Sequence, residues 1–184
     1  MRLSLYKKSV KGYCLKADIR HYFETIDHDI LIKILRKKIS DENVIFLIKK
    51  ILTNYRAKSN GKGMPLGNLT SQFLANVYLN ELDQFVKHKL KAAYYIRYVD
   101  DFVILDKNKF LLENYKEKIS CFIKNSLALE LHPTKSKIVP LSQGVGFLGF
   151  KHFYFHRLLR KSNVQRIRKT ITEFIESADI SLLN

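Results

Sequence analysis

The stretch YYIRYVDDFVIL, residues 94–105, limits the possible folds more than any other part of the chain. Residues that favour strands, β-branched and aromatic, lie on both sides of two adjacent aspartates, Asp100 and Asp101. Two such runs separated by a short polar turn are typical of a β-hairpin. The sequence therefore predicts two strands that meet at residues 99–101, with two like charges side by side at the turn.

The segments around this hairpin predict a mixture of helices and short strands. GYCLKADIRHYF, residues 12–23, is typical of a strand that ends at Asp18 and then turns. Helices are predicted across 30–39, 45–51, 69–90, 109–127 and 163–177, and further strands near 138–141 and in a hairpin over 145–158. This order favours an α+β fold, in which helices pack on one face of an antiparallel sheet.

Two of the predicted helices have apolar residues that indicate a buried side. In the helix that Asn68 opens, that side consists of Leu69, Phe73, Val77, Leu79 and Leu82. In the helix over 109–127, it consists of Phe110, Leu111, Tyr115, Ile119, Phe122 and Ile123.

The distribution of charge favours a polyanionic partner. The formal net charge is +16 over 184 residues. No acidic residue occurs within 131–172, which contains nine lysines and arginines, or within 43–80, which contains five. Blocks this one-sided are typical of nucleic-acid binding, and a well-solvated surface is the simpler alternative.

Neither a membrane span nor an exported, disulfide-linked protein is expected. The chain has no run of about 18 apolar residues, and its N-terminus lacks the apolar stretch of a signal peptide. We therefore expect a cytoplasmic protein without a membrane partner. Cys14 and Cys121 lie far apart in apolar settings, which predicts two buried free thiols.

The adjacent aspartates predict a metal site. Crowded carboxylates raise one another's pKa, so an acidic cluster at a rigid turn indicates a bound cation. Mg²⁺ binds one or two carboxylates and completes its coordination with water and phosphate oxygens. Asp18 is the best third carboxylate, because a strand beside the hairpin would bring its end next to Asp100 and Asp101. Two ions about 3.5–4 Å apart would suit phosphoryl transfer.

Several motifs, in order and at matching separation, resemble the palm of a reverse transcriptase. The resemblance covers roughly residues 12–155 and implies a polymerase palm with a ferredoxin-like core. The matching motifs are KADIRHYFETIDHDIL (16–31), GMPLGNLTSQFLANVYLNELD (63–83), YVDDF (98–102), LHPTKSKI (131–138) and GFLGF (146–150).

The resemblance implies metal-binding and catalytic roles for specific residues. Asp18, Asp100 and Asp101 would bind two Mg²⁺ ions, or Mn²⁺ in their place, with the backbone carbonyl of Ile19 as an extra ligand. Asp101 matches the less direct ligand of the family's pair. Lys135 matches the residue proposed to protonate the leaving pyrophosphate. The nearby Lys137 and a plain phosphate contact by either lysine stay open as alternatives.

The resemblance also implies nucleotide and primer contacts. Phe23 matches the steric gate, which selects deoxynucleotides by excluding a 2′-hydroxyl, and a core residue is the alternative. Expected neighbours of the incoming nucleotide are Pro65, Leu66, Gly67 and Tyr98. Phe147, Leu148 and Gly149 match the primer grip, for which the core of an ordinary hairpin is the alternative. The implied partners are template RNA, a DNA or RNA primer and deoxynucleoside triphosphates.

One short string bears on the subclass. The sequence has Pro65-Leu66-Gly67 followed by Ser71-Gln72, where intron and viral enzymes carry Pro-Gln-Gly and Ser-Pro. This combination resembles the enzymes of diversity-generating retroelements, with group II intron and retron enzymes next. A small accessory protein would be one candidate partner in that subclass.

The chain departs from the family at both ends. Seventeen residues precede Asp18, so we expect fingers and thumb to be largely missing. Residues 1–155 would form the palm with partial fingers, and residues 156–184 a basic helix that starts a thumb. The principal alternative to an active polymerase is a truncated, inactive nucleic-acid-binding remnant. An RNA-dependent RNA polymerase is disfavoured by Phe23, because such enzymes must admit the 2′-hydroxyl.

Overall fold

A computed structural model describes the protein at residues 11–53, 61–65 and 67–181, with side chains described to residue 175. The described residues form six α-helices and seven strands. The elements are β1 (Tyr13–Asp18), α1 (Tyr22–Thr25), α2 (His28–Arg36), α3 (Glu42–Thr53), α4 (Leu69–Gln84), β2 (Tyr94–Tyr98), β3 (Asp101–Asp106), α5 (Lys109–Leu127), β4 (Lys137–Pro140), β5 (Val145–Phe147), β6 (Phe150–His152), β7 (Arg157–Leu159) and α6 (Lys161–Ser181). A π-helical turn, Phe85–Lys89, continues α4, and a short 3₁₀ turn, Leu141–Gln143, follows β4.

Polar side chains begin three of these helices. Oδ1 of Asp27 accepts hydrogen bonds from the backbone N–H groups of Asp29 and Ile30 at the start of α2. Asn68 and Asn108 cap α4 and α5 in the same way. Each cap satisfies backbone donors that the first helical turn leaves without a partner.

The chain divides into two compact units. The larger runs from Gly12 to Val139, and the smaller contains the described residues from Pro140 onward. The division of the chain at residue 155, expected from the sequence, stays a prediction.

A four-stranded sheet in the order β2-β3-β1-β4 forms the centre of the larger unit. β3 pairs antiparallel with both β1 and β2, and the register places Leu15 opposite Ile104 and Ala17 opposite Phe102. All four side chains are buried in the main core. α5 packs on β1 and β3, and α4 packs on α5. The α+β fold predicted from the sequence is therefore confirmed.

The opposite face of this sheet carries the buried Cys14, Val103 and Leu105 together with charged and exposed side chains. Because side chains alternate along a strand, Lys16 and Asp18 of β1 share this face with Asp101 of β3. The alternate residues of β2 on this face are Tyr94, Ile96 and Tyr98, which are 50%, 47% and 59% exposed. A surface of aromatic and apolar side chains thus continues from the acidic end of the sheet.

The buried side of α4 differs from the prediction. Leu79 and Leu82 are buried as expected, but Leu69 and Phe73 are 82% and 65% exposed. The side that faces the core consists of Ser71, Leu74, Ala75, Tyr78, Leu79 and Leu82. The prediction was wrong because it weighted large apolar residues, whereas small residues and a hydrogen-bonded tyrosine complete the buried side.

The buried side of α5 is also shifted from the prediction. Ile119 and Ile123 are buried as predicted, whereas Phe110 is 80% exposed. Leu112 and Leu127, which the prediction left out, are fully or almost fully buried. Leu127 continues the i, i+4 row of Ile119 and Ile123, and Leu112 lies on the same side about two turns before Ile119, whereas Phe110 lies on the other side.

In the smaller unit, β5, β6 and β7 form a three-stranded antiparallel meander that leads into α6. No helix in the described part of the chain has the length and apolarity needed to cross a membrane.

Cys14 is buried, and burial raises the pKa of its thiol to about 12. Cys121 is exposed, which corrects the prediction that both thiols are buried.

Candidate active site

Asp100 and Asp101 lie at the turn of the β2–β3 hairpin. Tyr98 ends β2 and pairs with Asp101, the first residue of β3, so Val99 and Asp100 alone form the turn. Of these two residues only Val99 has a positive φ, 54°. A positive φ at the first turn residue alone is characteristic of a type II′ hairpin turn. The hairpin predicted over 94–105 is confirmed.

The third carboxylate reaches the turn through the pairing of β1 with β3. In the antiparallel register, Asp18 is the direct partner of Asp101. Side chains directly opposite each other on antiparallel strands lie on one face, with Cβ atoms about 4.5–5.5 Å apart. Asp18 therefore meets Asp100 and Asp101 at one end of the sheet, although they lie 82 and 83 positions further along the sequence.

Electrostatic repulsion among these carboxylates is visible at Asp100. Burial raises the pKa of Asp100 above its ordinary value of 3.8, while a backbone hydrogen bond lowers it. The charges of Asp18 and Asp101 raise it further, and Lys135 lowers it. A site with this balance gains stability from additional positive charge.

Lys135 supplies part of that positive charge. Its Nζ lies 3.0 Å from Oδ2 of Asp18, whose side chain is 12% exposed. A backbone hydrogen bond holds the segment that carries Lys135 next to Asp18, because the N–H of His132 donates to the carbonyl of Asp18 at 2.7 Å. Ser136 Oγ also donates to this carbonyl, at 3.3 Å. Of the two lysines left as alternatives, the structure brings Lys135 to the site and leaves Lys137 exposed at the start of β4.

Lys16 is a second cation at the site, and the sequence analysis missed it. Its Nζ lies 3.7 Å from Oδ1 of Asp101. Strand alternation places Lys16 on the same face as Asp18, two residues further on, and this spacing is the signal that would have found it. At 3.7 Å the contact is an ion pair, and Oδ1 of Asp101 remains buried with no hydrogen-bond partner.

The donor set fits a hard divalent cation. In the described residues, no three Asp, Glu, His or Cys side chains are already grouped as metal ligands. Asp18 and Asp101 are paired instead with Lys135 and Lys16. Carboxylate oxygens are the ligands that Mg²⁺ and Mn²⁺ prefer, and a buried oxygen without a partner is what a cation would satisfy.

Phe23 lies on α1, five residues after Asp18 at the end of β1, next to the loop that precedes α4. The carbonyl of Phe23 accepts a hydrogen bond from the N–H of Met64 at 2.8 Å, and that of Ile26 accepts one from Gly63 at 2.8 Å. The ring of Phe23 is half-buried and contacts Tyr22 edge-on, with 5.4 Å between centroids. Tyr22 Oη donates to the carbonyl of Ala75, which fastens α1 to α4.

The other predicted nucleotide contacts fall at different places. Pro65 and Gly67 lie in the loop beside α1, and Leu66 lies outside the described residues. Tyr98 is 59% exposed on the acidic face of the sheet. Ile19 is buried and forms a β-bridge with Leu131. The roles expected for these residues stay predictions.

The predicted primer grip belongs to the smaller unit. Leu148 and Gly149 form a two-residue turn between β5 and β6, with φ of 49° and 80°, after Phe147 pairs with Phe150. The positive φ of Gly149 favours glycine, and a Cβ there would lie 2.9 Å from Nδ2 of Asn163, whose side chain would have to shift. The structure confirms a tight hairpin at these residues and leaves a primer contact as a prediction.

Arg97 is a further residue that the sequence analysis left out. Its side chain leaves β2 on the face opposite the aspartates and reaches Asp83 of α4. The available signal was an arginine within the strand-forming run YYIRYV. It is the neighbour of Tyr98, so strand alternation places its side chain on the opposite face of the sheet.

Comparison with known proteins gives one family and several relatives. The profile of the family described as "Reverse transcriptase (RNA-dependent DNA polymerase)" matches residues 3–152. Protein YkfC of Escherichia coli is 29% identical over 81% of this chain and 47% of its own length. The group II intron-encoded protein LtrA of Lactococcus lactis is 28% identical over 84% of this chain and 36% of its own. A retron reverse transcriptase of Escherichia coli is 27% identical over 89% and 55%.

Solved structures with a similar fold include two telomerases. Apo telomerase from Candida tropicalis has a TM-score of 0.64 and 14% identity, and the match covers 84% of this chain and 34% of the telomerase. Telomerase from Candida albicans, in complex with a fragment of telomeric RNA, has a TM-score of 0.61 and 12% identity over 82% and 31%. At these identities the likeness shows a shared fold. The chain spans less than half the length of YkfC and of LtrA.

Proposed function

The chain belongs to the reverse transcriptase family, and from this premise we propose that it catalyses RNA-directed DNA synthesis. It would add deoxynucleotides to the 3′-hydroxyl of a primer along an RNA template. The observation that carries the proposal is the meeting of Asp18, Asp100 and Asp101 at one end of the sheet. The family match supports the same reaction class.

The carboxylates would hold two divalent ions, Mg²⁺ or Mn²⁺. Bound there, the ions would supply Lewis-acid chemistry, which activates the 3′-hydroxyl and stabilises charge on the leaving pyrophosphate. Asp18 and Asp100 would be the principal ligands, with Asp101 and the carbonyl of Ile19 as further ones. Lys16 and Lys135, which pair with two of these carboxylates here, would release them to the ions.

Lys135 would then turn to the pyrophosphate. The backbone N–H of His132 and the hydroxyl of Ser136, on either side of Lys135, both donate to the carbonyl of Asp18, so the ammonium of Lys135 stays within reach of the site. A positioned ammonium can give a proton to a leaving oxygen or neutralise its charge. Its 55% exposure leaves the side chain free to change partner.

Phe23 would select deoxynucleotides. The support is its position five residues after Asp18, its half-buried ring, and the hydrogen bond that its carbonyl accepts from Met64 in the loop at 61–65. Pro65, Leu66, Gly67 and Tyr98 would complete the nucleotide site.

Template RNA and primer would be held by basic and apolar surfaces. The acid-free run at 131–172 contains nine lysines and arginines, and long-range attraction of these to phosphates is strong at low salt. Phe147, Leu148 and Gly149 would contact the primer end. On this proposal residues 1–155 are the palm with partial fingers, and residues 156–184 begin a thumb.

We assign the chain to a diversity-generating retroelement, in which it would work in the cytoplasm, with a small accessory protein as a candidate partner. The support is Pro65-Leu66-Gly67 with Ser71-Gln72. In this position Leu66 would replace an amide that can hydrogen-bond near the nascent pair, which loosens geometric selection. Two of the relatives named above, LtrA and the retron reverse transcriptase, belong to the alternative subclasses. Enzymes of diversity-generating retroelements copy template RNA with frequent errors at adenines, so errors at template adenines are the measurement that distinguishes the subclasses.

Primer extension on a defined RNA template tests the reaction. The full chain should incorporate labelled deoxynucleotides with Mg²⁺, and Asp100→Asn should abolish incorporation. Asp106→Asn is the matched control, because Asp106 lies at the other end of β3 and Asn keeps the Oδ1 that accepts from the N–H of Asn108. Phe23→Ala should admit ribonucleotides.

Two results would contradict the proposal. Full incorporation by Asp100→Asn would remove the metal role. Salt-sensitive RNA binding by the wild type without any incorporation, even at high protein concentration, would favour the nucleic-acid-binding remnant.

A further inference from the structure

Arg97 makes four hydrogen bonds next to the turn that carries Asp100. Its Nε and Nη2 donate to Oδ1 and Oδ2 of Asp83 at 2.8 and 2.7 Å. Its Nη1 donates to Oδ1 of Asn76 at 3.1 Å and to the carbonyl of Val99 at 2.9 Å. The side chains of Arg97 and Asp83 are 10% and 20% exposed. Arg97 and Asp83 thus form a bidentate ion pair that is largely removed from water, and Nη1 of Arg97 remains to bind the turn.

Asp83 is itself held in place. Oη of Tyr95 donates to its Oδ1 at 2.6 Å, and burial raises the pKa of Tyr95, so the phenol keeps the proton it donates. Burial lowers the pKa of Arg97, but the hydrogen bonds and charge of Asp83 raise it above its ordinary value. Asp83 lies near the end of α4, so the pair ties that helix to β2.

The turn needs such support because its backbone is strained. Val99 has a φ of 54°, a region that is unfavourable for L-residues and most of all for β-branched ones. A type II′ turn favours glycine at this position. Strained backbone persists only where the surrounding structure over-determines it. Here the carbonyl of Val99 is bonded to Arg97, and its side chain packs against the core.

The peptide unit between Val99 and Asp100 links this bond to the carboxylates. A peptide unit is planar, so fixing the direction of the Val99 carbonyl also fixes the N–H and the Cα of Asp100. We propose that Arg97 is a positioning residue for nucleotide transfer: anchored on Asp83, it holds the Val99 peptide and thereby aims Asp100 at the metal ions. This inference rests on the proposed function.

Arg97→Lys is the informative variant. Lysine keeps the positive charge next to Asp83, but a single ammonium cannot bind both carboxylate oxygens and the Val99 carbonyl in the fork geometry of a guanidinium. Arg36→Lys is the matched control, since Arg36 pairs with Glu42 at 2.7 Å with side chains 49% and 70% exposed, far along the chain from the turn.

Three readouts separate positioning from mere stability. In hydrogen exchange followed by mass spectrometry, Arg97→Lys should expose the amides of 98–101 roughly tenfold faster, while β1 stays protected. Its affinity for Mn²⁺, followed by electron paramagnetic resonance, should fall about 10–100-fold. In primer extension, kcat should fall by a similar factor with little change in KM for template and primer. Arg36→Lys should leave all three values at those of the wild type.

Val99→Gly supplies the rescue. Glycine adopts a positive φ without strain, so the turn depends less on Arg97. In the Val99→Gly background, Arg97→Lys should lower Mn²⁺ affinity by only a few-fold. A purely structural ion pair would give the same loss in both backgrounds.

The outcomes distinguish this inference from the proposed function. Unchanged exchange at the turn in Arg97→Lys, or lowered thermal stability with wild-type Mn²⁺ affinity, would overturn the positioning role. A wild type that binds Mn²⁺ without incorporating nucleotides would instead overturn the polymerase proposal, and the exchange and Mn²⁺ measurements would still decide the role of Arg97.

Discussion

Glycine at position 99 is expected to give a more stable protein than alanine at the same position. At most positions the alanine variant is the more stable one, because glycine loses more conformational entropy on folding, which costs about 0.4–1 kcal/mol relative to alanine. Val99 has a φ of 54°, and this region costs a residue with a Cβ roughly 1–2 kcal/mol. The difference leaves Val99→Gly about 0.5–1 kcal/mol more stable than Val99→Ala.

The comparison of the two variants removes most other effects. Both variants lose the methyl groups of the half-buried valine, which pack against the core. The lost packing lowers the stability of both, so it largely cancels when the two are compared. Urea denaturation of each variant gives the free energy of unfolding. In thermal unfolding, a chain of this length should show a higher Tm for Val99→Gly by about 1–4 °C.

Ser120, exposed in the middle of α5, is the control position. There Ser120→Ala should exceed Ser120→Gly in stability by about 1 kcal/mol. The reasoning about turn strain is refuted if positions 99 and 120 show the same order of alanine over glycine.

Three further predictions concern the core and the charge at the site. Tyr78→Phe should lower the free energy of unfolding by about 1–2 kcal/mol, because it leaves the buried carbonyl of Leu127, now 2.6 Å from Oη, without this donor; urea denaturation measures it. Leu74→Ala should cost about 2–5 kcal/mol, whereas Phe73→Ala should change stability by less than about 0.5 kcal/mol, and equal effects would contradict the buried side of α4. The pKa of Asp100 is raised in the folded state, first by burial, so its stabilising contribution is complete below its unfolded pKa and is lost as pH rises through the folded one. With divalent ions removed, Asp100→Asn should therefore have a higher Tm than the wild type near pH 7, and the advantage should shrink toward about pH 4.

The convergence of the three aspartates was accessible from the sequence because strand patterns are short-range and regular. Strand-forming residues on both sides of a short polar turn at 99–101 predicted the hairpin, and antiparallel pairing then required only that β1 lie beside it. Asp18 falls at the end of β1, so its meeting with Asp101 follows from the register.

The helix faces and the supporting cations were less accessible. The buried side of α4 includes Ser71 and Ala75, whose small side chains carry little hydrophobic signal although they allow close packing. The partner of Arg97 lies 14 residues earlier, on another element. A valine at a positive φ has no sequence signal, because the turn chemistry there favours glycine.

Anomalous X-ray diffraction from crystals grown with Mn²⁺ tests the central claim most directly. The account predicts an anomalous peak bound by carboxylate oxygens of Asp18 and Asp100, with Nζ of Lys135 displaced from its present 3.0 Å contact with Oδ2 of Asp18. An intact Lys135–Asp18 pair with no peak between these aspartates, at Mn²⁺ concentrations that saturate polymerases, would contradict it.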